Sequence, residues 1–287
     1  MAPLVSIVIP CYKGERFLAA TIESCLSQTH ANLEVIVVDD ASPDDCGRIA
    51  GEFARRDPRV RVLRHSHNQG VANAFNTGFD AARGEFMTRL AQDDLFAPNA
   101  FAVMLAALQA APDAGFVYCD QQHVDENGKP FLVIQRPPPE SALAAGNQIG
   151  LCIMWRRVVW EKIGHFNPRY DTVEDYEYWL RLREKFRIIH CPEVLFSFRA
   201  HSGMGSEVFS VKQELLTAEL KARHARSRAE RRQFLSEGFF NAGYRTGEKG
   251  ERRAAMKYLA RAIICWPFWF KPYKSLVRLA LGATRPP

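Results

Sequence analysis

Hydrophobic positions along the first two hundred residues switch repeatedly between two spacings. Leu4–Ile9 is a β-branched apolar run closed by Pro10, which predicts a strand. Phe17, Leu18, Ile22, Cys25 and Leu26 then recur at helical spacing. Leu33–Val38 predicts a second strand, followed by Asp39-Asp40-Ala41-Ser42-Pro43-Asp44-Asp45, a turn rich in helix-capping residues. The pattern continues with a helix to Arg56, a strand over Val60–Arg64, a helix over Val71–Ala82 and a strand over Glu85–Leu90. A helix over Pro98–Ala111 and a strand over Gly115–Cys119 follow. Asp125-Glu126-Asn127-Gly128 predicts a hairpin turn. Beyond Pro137-Pro138-Pro139 the spacing loosens, with helices expected near 156–163 and 173–185 and strands near 187–190 and 194–199. Strands alternating with helices predict an α/β domain over residues 1–205, its parallel sheet covered by helices on both faces.

After Ser206 strand signals vanish, and Lys, Arg, Ala, Leu and Glu repeat at helical periodicity. Residues 206–287 therefore read as a basic helical C-terminal region. The formal charge of +6 divides accordingly: 206–287 hold 17 Lys+Arg against 7 Asp+Glu, a net +10, which leaves −4 for 1–205. Hydrophobic residues at 47% and charged residues at 24% exclude disordered, collagen-like and low-complexity classes. A chain of 287 residues buries roughly three quarters of its unfolded surface, so its core requires neither disulfides nor metal. Seven scattered cysteines with no Cys-x-x-Cys pair read as reduced thiols, as in a cytoplasmic protein. The N-terminus lacks the basic segment of a signal peptide, and the apolar run Ala262–Phe270 is too short to span a bilayer.

In doubly wound sheets ligands bind beyond the carboxyl ends of the strands. Cys11-Tyr12, Asp39-Asp40 and Asp93-Asp94 all follow expected strands and so fall on that edge. The first turn, Pro10-Cys11-Tyr12-Lys13-Gly14, lacks the Gly-x-Gly-x-x-Gly of a dinucleotide fold, and no P-loop is present. Carboxylates in place of glycines suit a diphosphate only with a bridging hard cation, Mn2+ or Mg2+. A tyrosine ring can stack on a base, and a carboxylate can accept from a base N–H or from ribose hydroxyls. A single acidic pair after a strand is more often a helix cap; two pairs on one sheet edge favour a ligand site.

Val5-Ser6-Ile7-Val8-Ile9-Pro10-Cys11-Tyr12 and Glu34-Val35-Ile36-Val37-Val38-Asp39-Asp40-Ala41-Ser42 resemble the opening of a family 2 glycosyltransferase. Asn68-Gln69-Gly70-Val71-Ala72, Ala82-Arg83-Gly84-Glu85-Phe86 and Leu90-Ala91-Gln92-Asp93-Asp94 continue in that family's order. Glu174-Asp175-Tyr176-Glu177-Tyr178-Trp179 and Phe198-Arg199-Ala200-His201 resemble its two later motifs, and the likeness covers about residues 4–205. The resemblance implies a GT-A type, Rossmann-like, mixed but mostly parallel sheet, and inverting transfer of a sugar from a nucleoside diphosphate sugar, with a UDP-sugar as the expected donor. Carried over by position, Pro10, Tyr12, Asp40, Asn73, Arg83 and Asp93 would bind the donor, Tyr12 and Asp40 at the base and Asp93 at the ribose. Asp94 and His201 would hold Mn2+ or Mg2+, and Asp175 would be the catalytic base. Glu174, turned about 100° away on a helix, reads as structural. The implied acceptor is a hydroxyl of a glycan or lipid-linked acceptor in surface polysaccharide or glycolipid synthesis.

One departure stands out. Ala91 occupies the place where many members carry the first aspartate of Asp-x-Asp-Asp, so metal affinity without nucleotide is expected to be weak. It also keeps open a non-catalytic, sugar-nucleotide-binding or scaffold protein on the same fold. A nucleotidyltransferase would need a glycine-rich, basic first loop, which this chain lacks. Trp155, Trp160 and Trp179 read as core or acceptor-groove walls, and His65 and His67 as loop residues without metal spacing. In the tail, Arg252, Arg253, Lys257 and Arg261 precede Cys265-Trp266-Pro267-Phe268-Trp269-Phe270-Lys271-Pro272-Tyr273. Aromatic and cationic residues together suit an anionic membrane surface, which would make the protein peripheral on the inner face of the plasma membrane. Helix–helix packing onto the catalytic domain or onto a second protomer in a homodimer, with the charges merely solvated, is the competing expectation for the tail. Nucleic acid is not an expected partner, since no recognised binding motif is present.

Overall fold

The computed structural model describes residues 2–143, 146–202 and 210–281. The chain divides into two compact units, Met1–His201 and Ser202–Pro287. The expected boundary at 205/206 falls within 203–209, outside the described residues.

The first unit begins β1 (Val5–Cys11), α1 (Glu15–Leu26), β2 (Leu33–Asp39), α2 (Cys46–Arg56), β3 (Val60–Arg64), α3 (Val71–Ala81) and β4 (Phe86–Arg89). It continues with β5 (Leu95–Phe96), α4 (Ala100–Ala110), β6 (Ala114–Val124), β7 (Pro130–Ile134), α5 (Pro139–Ala142), β8 (Ile153–Arg156) and α6 (Arg157–Ile163). A 3-10 turn (Pro168–Tyr170), α7 (Glu174–Leu182) and β9 (Arg187–Arg199) complete it. Sheet order is β3-β2-β1-β4-β8-β6-β9-β5, with β7 pairing β6. β1, β2, β3, β4, β6 and β9 run one way, whereas β5, β7 and β8 run the other. The sheet is therefore mixed but mostly parallel, as expected.

Strand periodicity assigns the two faces. Val5, Ile7 and Ile9 lie in one apolar core with Leu18, Ile22 and Cys25 of α1, Phe53 of α2 and Met104 of α4. On the other face α3 lies so close that a Cβ at Gly78 would run into Val8 Cγ1. Phe79, Trp155, Trp160, Phe166, Tyr178 and Trp179 build an aromatic cluster there, so the three tryptophans are core. Helices thus cover both faces of a sheet whose central strands are buried throughout.

Three strands escape sequence periodicity: the two-residue β5, the exposed β7, and β8, which runs into α6 without a turn signal. The two strands expected near 187–190 and 194–199 are one strand. Its pairing with β6 shifts register between Cys119↔Cys191 and Asp120↔Val194, around Pro192 and Glu193.

The second unit contains α8 (Ser210–Arg223), α9 (Arg228–Glu248), α10 (Arg252–Cys265) and α11 (Phe270–Ala280). Ser227 caps α9, its Oγ accepting from Glu230 N at 3.0 Å. Small residues bring helices together: a Cβ at Gly238 would collide with Ala218, and one at Gly243 would sit 3.0 Å from Leu259. Among the described residues no helix is long and apolar enough to cross a membrane.

Candidate active site

The carboxyl ends of β1, β2 and β4 lie side by side, with Cys11 opposite Asp39 and Val8 opposite Arg89. The loops leaving them interlock. Tyr12 N donates to Gln92 Oε1 at 2.8 Å, and Gln92 Nε2 donates back to Tyr12 O at 3.1 Å. Thr21 of α1 donates to the carbonyls of Gln92 (2.9 Å) and Asp94 (3.0 Å), so a buried hydroxyl anchors the acidic loop from below. Among the described residues, the non-glycine positions in the left-handed region are Lys13, Ala41 and Thr172, with φ of 56°, 56° and 87°. All three sit in loops of this site. Strained backbone of this kind persists where surrounding structure over-determines it, commonly at functional sites.

Asp40 is buried, and its carboxylate is engaged. Oδ1 accepts from Gln69 N at 2.8 Å and pairs with His65 Nδ1 at 2.7 Å, while Oδ2 accepts from Gly70 N at 2.9 Å. It fastens the loop before α3. His65 is more than a loop residue: it bridges Asp40 to Thr77 Oγ1 at 2.9 Å. Tyr12 remains 39% exposed, with Lys13 Nζ 5.3 Å from its ring centroid. Pro10 is the next-to-last residue of β1, and Asn73 lies in the first turn of α3, both on this edge.

The second acidic pair meets the end of β9. His201 Nε2 lies 2.9 Å from Asp93 Oδ2, and the imidazole packs on Phe17 with ring centroids 4.8 Å apart. Arg199 donates from its backbone to Asp94 Oδ1 (2.9 Å) and from Nε to Asp93 O (3.0 Å). Asp94 is buried, and its Oδ2 has no hydrogen-bond partner among the described residues. Burial, with the Asp93 charge beside it, pushes its carboxyl well above the ordinary range against the pull of Arg199. The sequence had joined His201 with Asp94; the geometry pairs His201 with Asp93. An orphaned carboxylate oxygen beside an aspartate–histidine pair is a donor set that fits Mn2+ or Mg2+. Among the described residues no three such groups converge on one point, so any ion here would take its remaining ligands from substrate and water.

Across the site, Arg89 at the end of β4 reaches the first turn of α7. Its Nη1 donates to Glu174 Oε1 at 2.9 Å and its Nη2 to Asp175 Oδ2 at 3.3 Å. Asn147 Nδ2 donates to the same Asp175 oxygen at 2.9 Å, while Oδ1 accepts from Tyr176 N at 2.7 Å. Glu174 is buried beneath and accepts from Thr172 N at 3.1 Å, which fixes the strained turn. Burial, opposed by Arg89 and reinforced by Asp175, raises Glu174 to about 7. Asp171 closes the ring by accepting from Ala72 N at 3.1 Å, tying this turn to α3.

Arg83 is the expected donor ligand that the structure does not bring here. It precedes β4 and so lies at the opposite, amino edge, paired with Glu34 at 3.0 Å. Arg89, Asn147, Gln92, Arg199 and His65 are the neighbours that sequence reading missed. The available signal was polar residues at the ends of apolar strands, as at Arg89 and His65.

The model of the family described as Glycosyl transferase family 2 matches residues 6–201. The chain belongs to glycosyl transferase family 2. It is 32% identical over 206 residues to the O-antigen biosynthesis protein RfbC of Myxococcus xanthus, covering 70% of this chain and 16% of that one. The chain spans well under half the length of the curated relatives it matches first. Among solved structures, TarS 1–349 of S. aureus in complex with UDP-GlcNAc shares the fold with a TM-score of 0.67 at 16% identity, over 98% of this chain and 88% of that one. The mannosyltransferase PcManGT of Pyrobaculum calidifontis, in complex with GDP-Man and Mn2+, gives 0.56 at 19% identity, over 99% and 79%. The family 2 motifs of this chain all lie in its first unit.

Proposed function

We propose that this family 2 enzyme transfers a sugar, with inversion, from a UDP-sugar to an acceptor hydroxyl of a glycan or lipid-linked acceptor during surface polysaccharide or glycolipid synthesis. The observation that carries this proposal is a single sheet edge that joins the Asp93–His201 pair to Asp175, held by Arg89 and Asn147. Asp175 has one lone pair left on Oδ1 and is oriented from three sides, which suits a base that takes the acceptor hydroxyl's proton. Attack from that side displaces the diphosphate in line and inverts the anomeric carbon. Tyr12 stacks on the base, with Pro10 and Asn73 bordering it, and Asp93 accepts from ribose. Asp40 and His65 hold the loop beneath. Asp94 and His201 would hold Mn2+ or Mg2+, with its remaining ligands from the diphosphate and water, and its charge would offset that of the departing diphosphate.

TarS bound to UDP-GlcNAc and PcManGT bound to GDP-Man and Mn2+ support a nucleotide-sugar donor and a metal, and RfbC supports a surface-glycan product. The test is a thermal-shift screen of UDP-, GDP- and dTDP-sugars with and without Mn2+. The expected result is stabilisation by a UDP-sugar that depends on Mn2+. The absence of a metal-dependent shift with every donor would remove the proposed metal site. NMR of the product's anomeric proton then reads inversion directly.

A further inference from the structure

We infer that the exposed face of α11 docks on an anionic lipid surface. With about 100° of rotation per residue, α11 presents three stripes. Pro272, Ser275 and Leu279 lie on one side and are buried. Phe270, Tyr273 and Val277 form a second, exposed by 73%, 38% and 56%, and Leu281 at 82% continues it just past the helix. Lys271, Lys274 and Arg278 run beside that apolar stripe, exposed, and among the described residues none of the three is ion-paired. Phe268 (78%) and Ile264 (73%) extend the apolar surface toward α10.

Charge selects the occupant. From Arg252 to Leu281 there are seven Lys+Arg and no Asp or Glu. A second copy pairing through the same face would bring only more cations to this rim, and a protein partner would need an acidic border around an apolar groove. A bilayer with anionic headgroups supplies negative charge and an apolar phase within a few ångströms of each other, in the order these stripes present. Eleven residues, about 16 Å of helix, lie along such a surface rather than across it. Neither the donor nor the proposed base takes part, so this inference and the transfer proposal fail independently.

The test is co-sedimentation of the full chain with phosphatidylcholine vesicles made with and without phosphatidylglycerol. Binding is expected only with phosphatidylglycerol, and it should weaken with added salt. The triple change Lys271→Glu, Lys274→Glu and Arg278→Glu should reduce binding by at least on the order of a hundredfold. Phe268→Ser with Phe270→Ser should reduce it also. On the unaltered chain, lipids with brominated acyl chains should quench Trp266 and Trp269, which flank the patch, while Trp155, Trp160 and Trp179 stay buried in the first unit. Equal binding to neutral vesicles, no quenching, or full binding by the triple variant would each overturn the inference. So would self-association that the same substitutions abolish, which would make this face a contact between copies.

Discussion

Glu34 and Glu174 are both buried glutamates at ends of the same sheet, and they are treated in opposite ways. Glu34, at the amino edge, accepts from Ser6 Oγ (2.7 Å), Arg83 N (2.6 Å), Arg83 Nε (3.1 Å) and Arg61 Nη1 (3.1 Å). Burial pushes its carboxyl up, but these donors outweigh burial and hold it below its ordinary value. Glu174, at the carboxyl edge, has Arg89 and one backbone N–H, shares that arginine with Asp175, and stays raised to about 7. Deeper burial with fewer donors leaves Glu174 raised where Glu34 is lowered. The edge with incomplete compensation also carries the orphaned oxygen of Asp94 and the three left-handed residues.

Substitutions at the two edges should therefore differ in kind. Asp175→Asn is expected to lower kcat about a thousandfold while the donor-induced thermal shift persists; preserved turnover would take the proton-transfer role away from this edge. Arg89→Lys keeps the charge but loses the fork that serves Glu174 and Asp175 together. It should lower kcat by up to about a hundredfold with donor KM unchanged, and a change confined to KM would break the assignment. Glu34→Gln should leave kcat unchanged and cost about 1–2 kcal/mol in denaturant unfolding. Because the folded state holds Glu34 below 4.5, its contribution is present above that pH and lost as pH falls, so the variant's stability should decline less steeply in acid. Glu174→Gln should give the smallest and opposite change. The unfolded chain ionises this group near 4.5 and the folded protein near 7, so stability falls as pH rises through that window, and the variant's Tm should flatten there. Parallel Tm–pH curves for the two variants would erase the contrast between the edges.

Periodicity located elements wherever one spacing held over a full element, as with β3, expected and found at Val60–Arg64. It missed β7, whose Phe131, Leu132 and Val133 are all exposed and so show no alternation. It missed β8 because three apolar residues and an arginine run directly into a helix. At the site, motif order brought Asp93, Asp94, Asp175 and His201 to one edge, but pairings depend on side-chain reach. Hence His201 met Asp93, and Asp40 turned to backbone amides. Arg83 was misassigned although it precedes its strand, a position that places it at the amino end whatever motif surrounds it. Arg89 carried little signal as a lone cation, and its importance emerges only from two acids 85 and 86 residues later.

The pairing of β5 with β9, Leu95 with Ser197, has a consequence for how the chain acquires its structure. β1 to β4 can assemble from contacts close in sequence. The Asp93-Asp94 turn, by contrast, waits for Arg199 and His201, more than a hundred residues downstream. Closing so long a loop is entropically costly and slow. The proposed reaction centre is therefore expected among the last parts of the first unit to form, and a refolding time course should regain strand signal before it regains nucleotide binding.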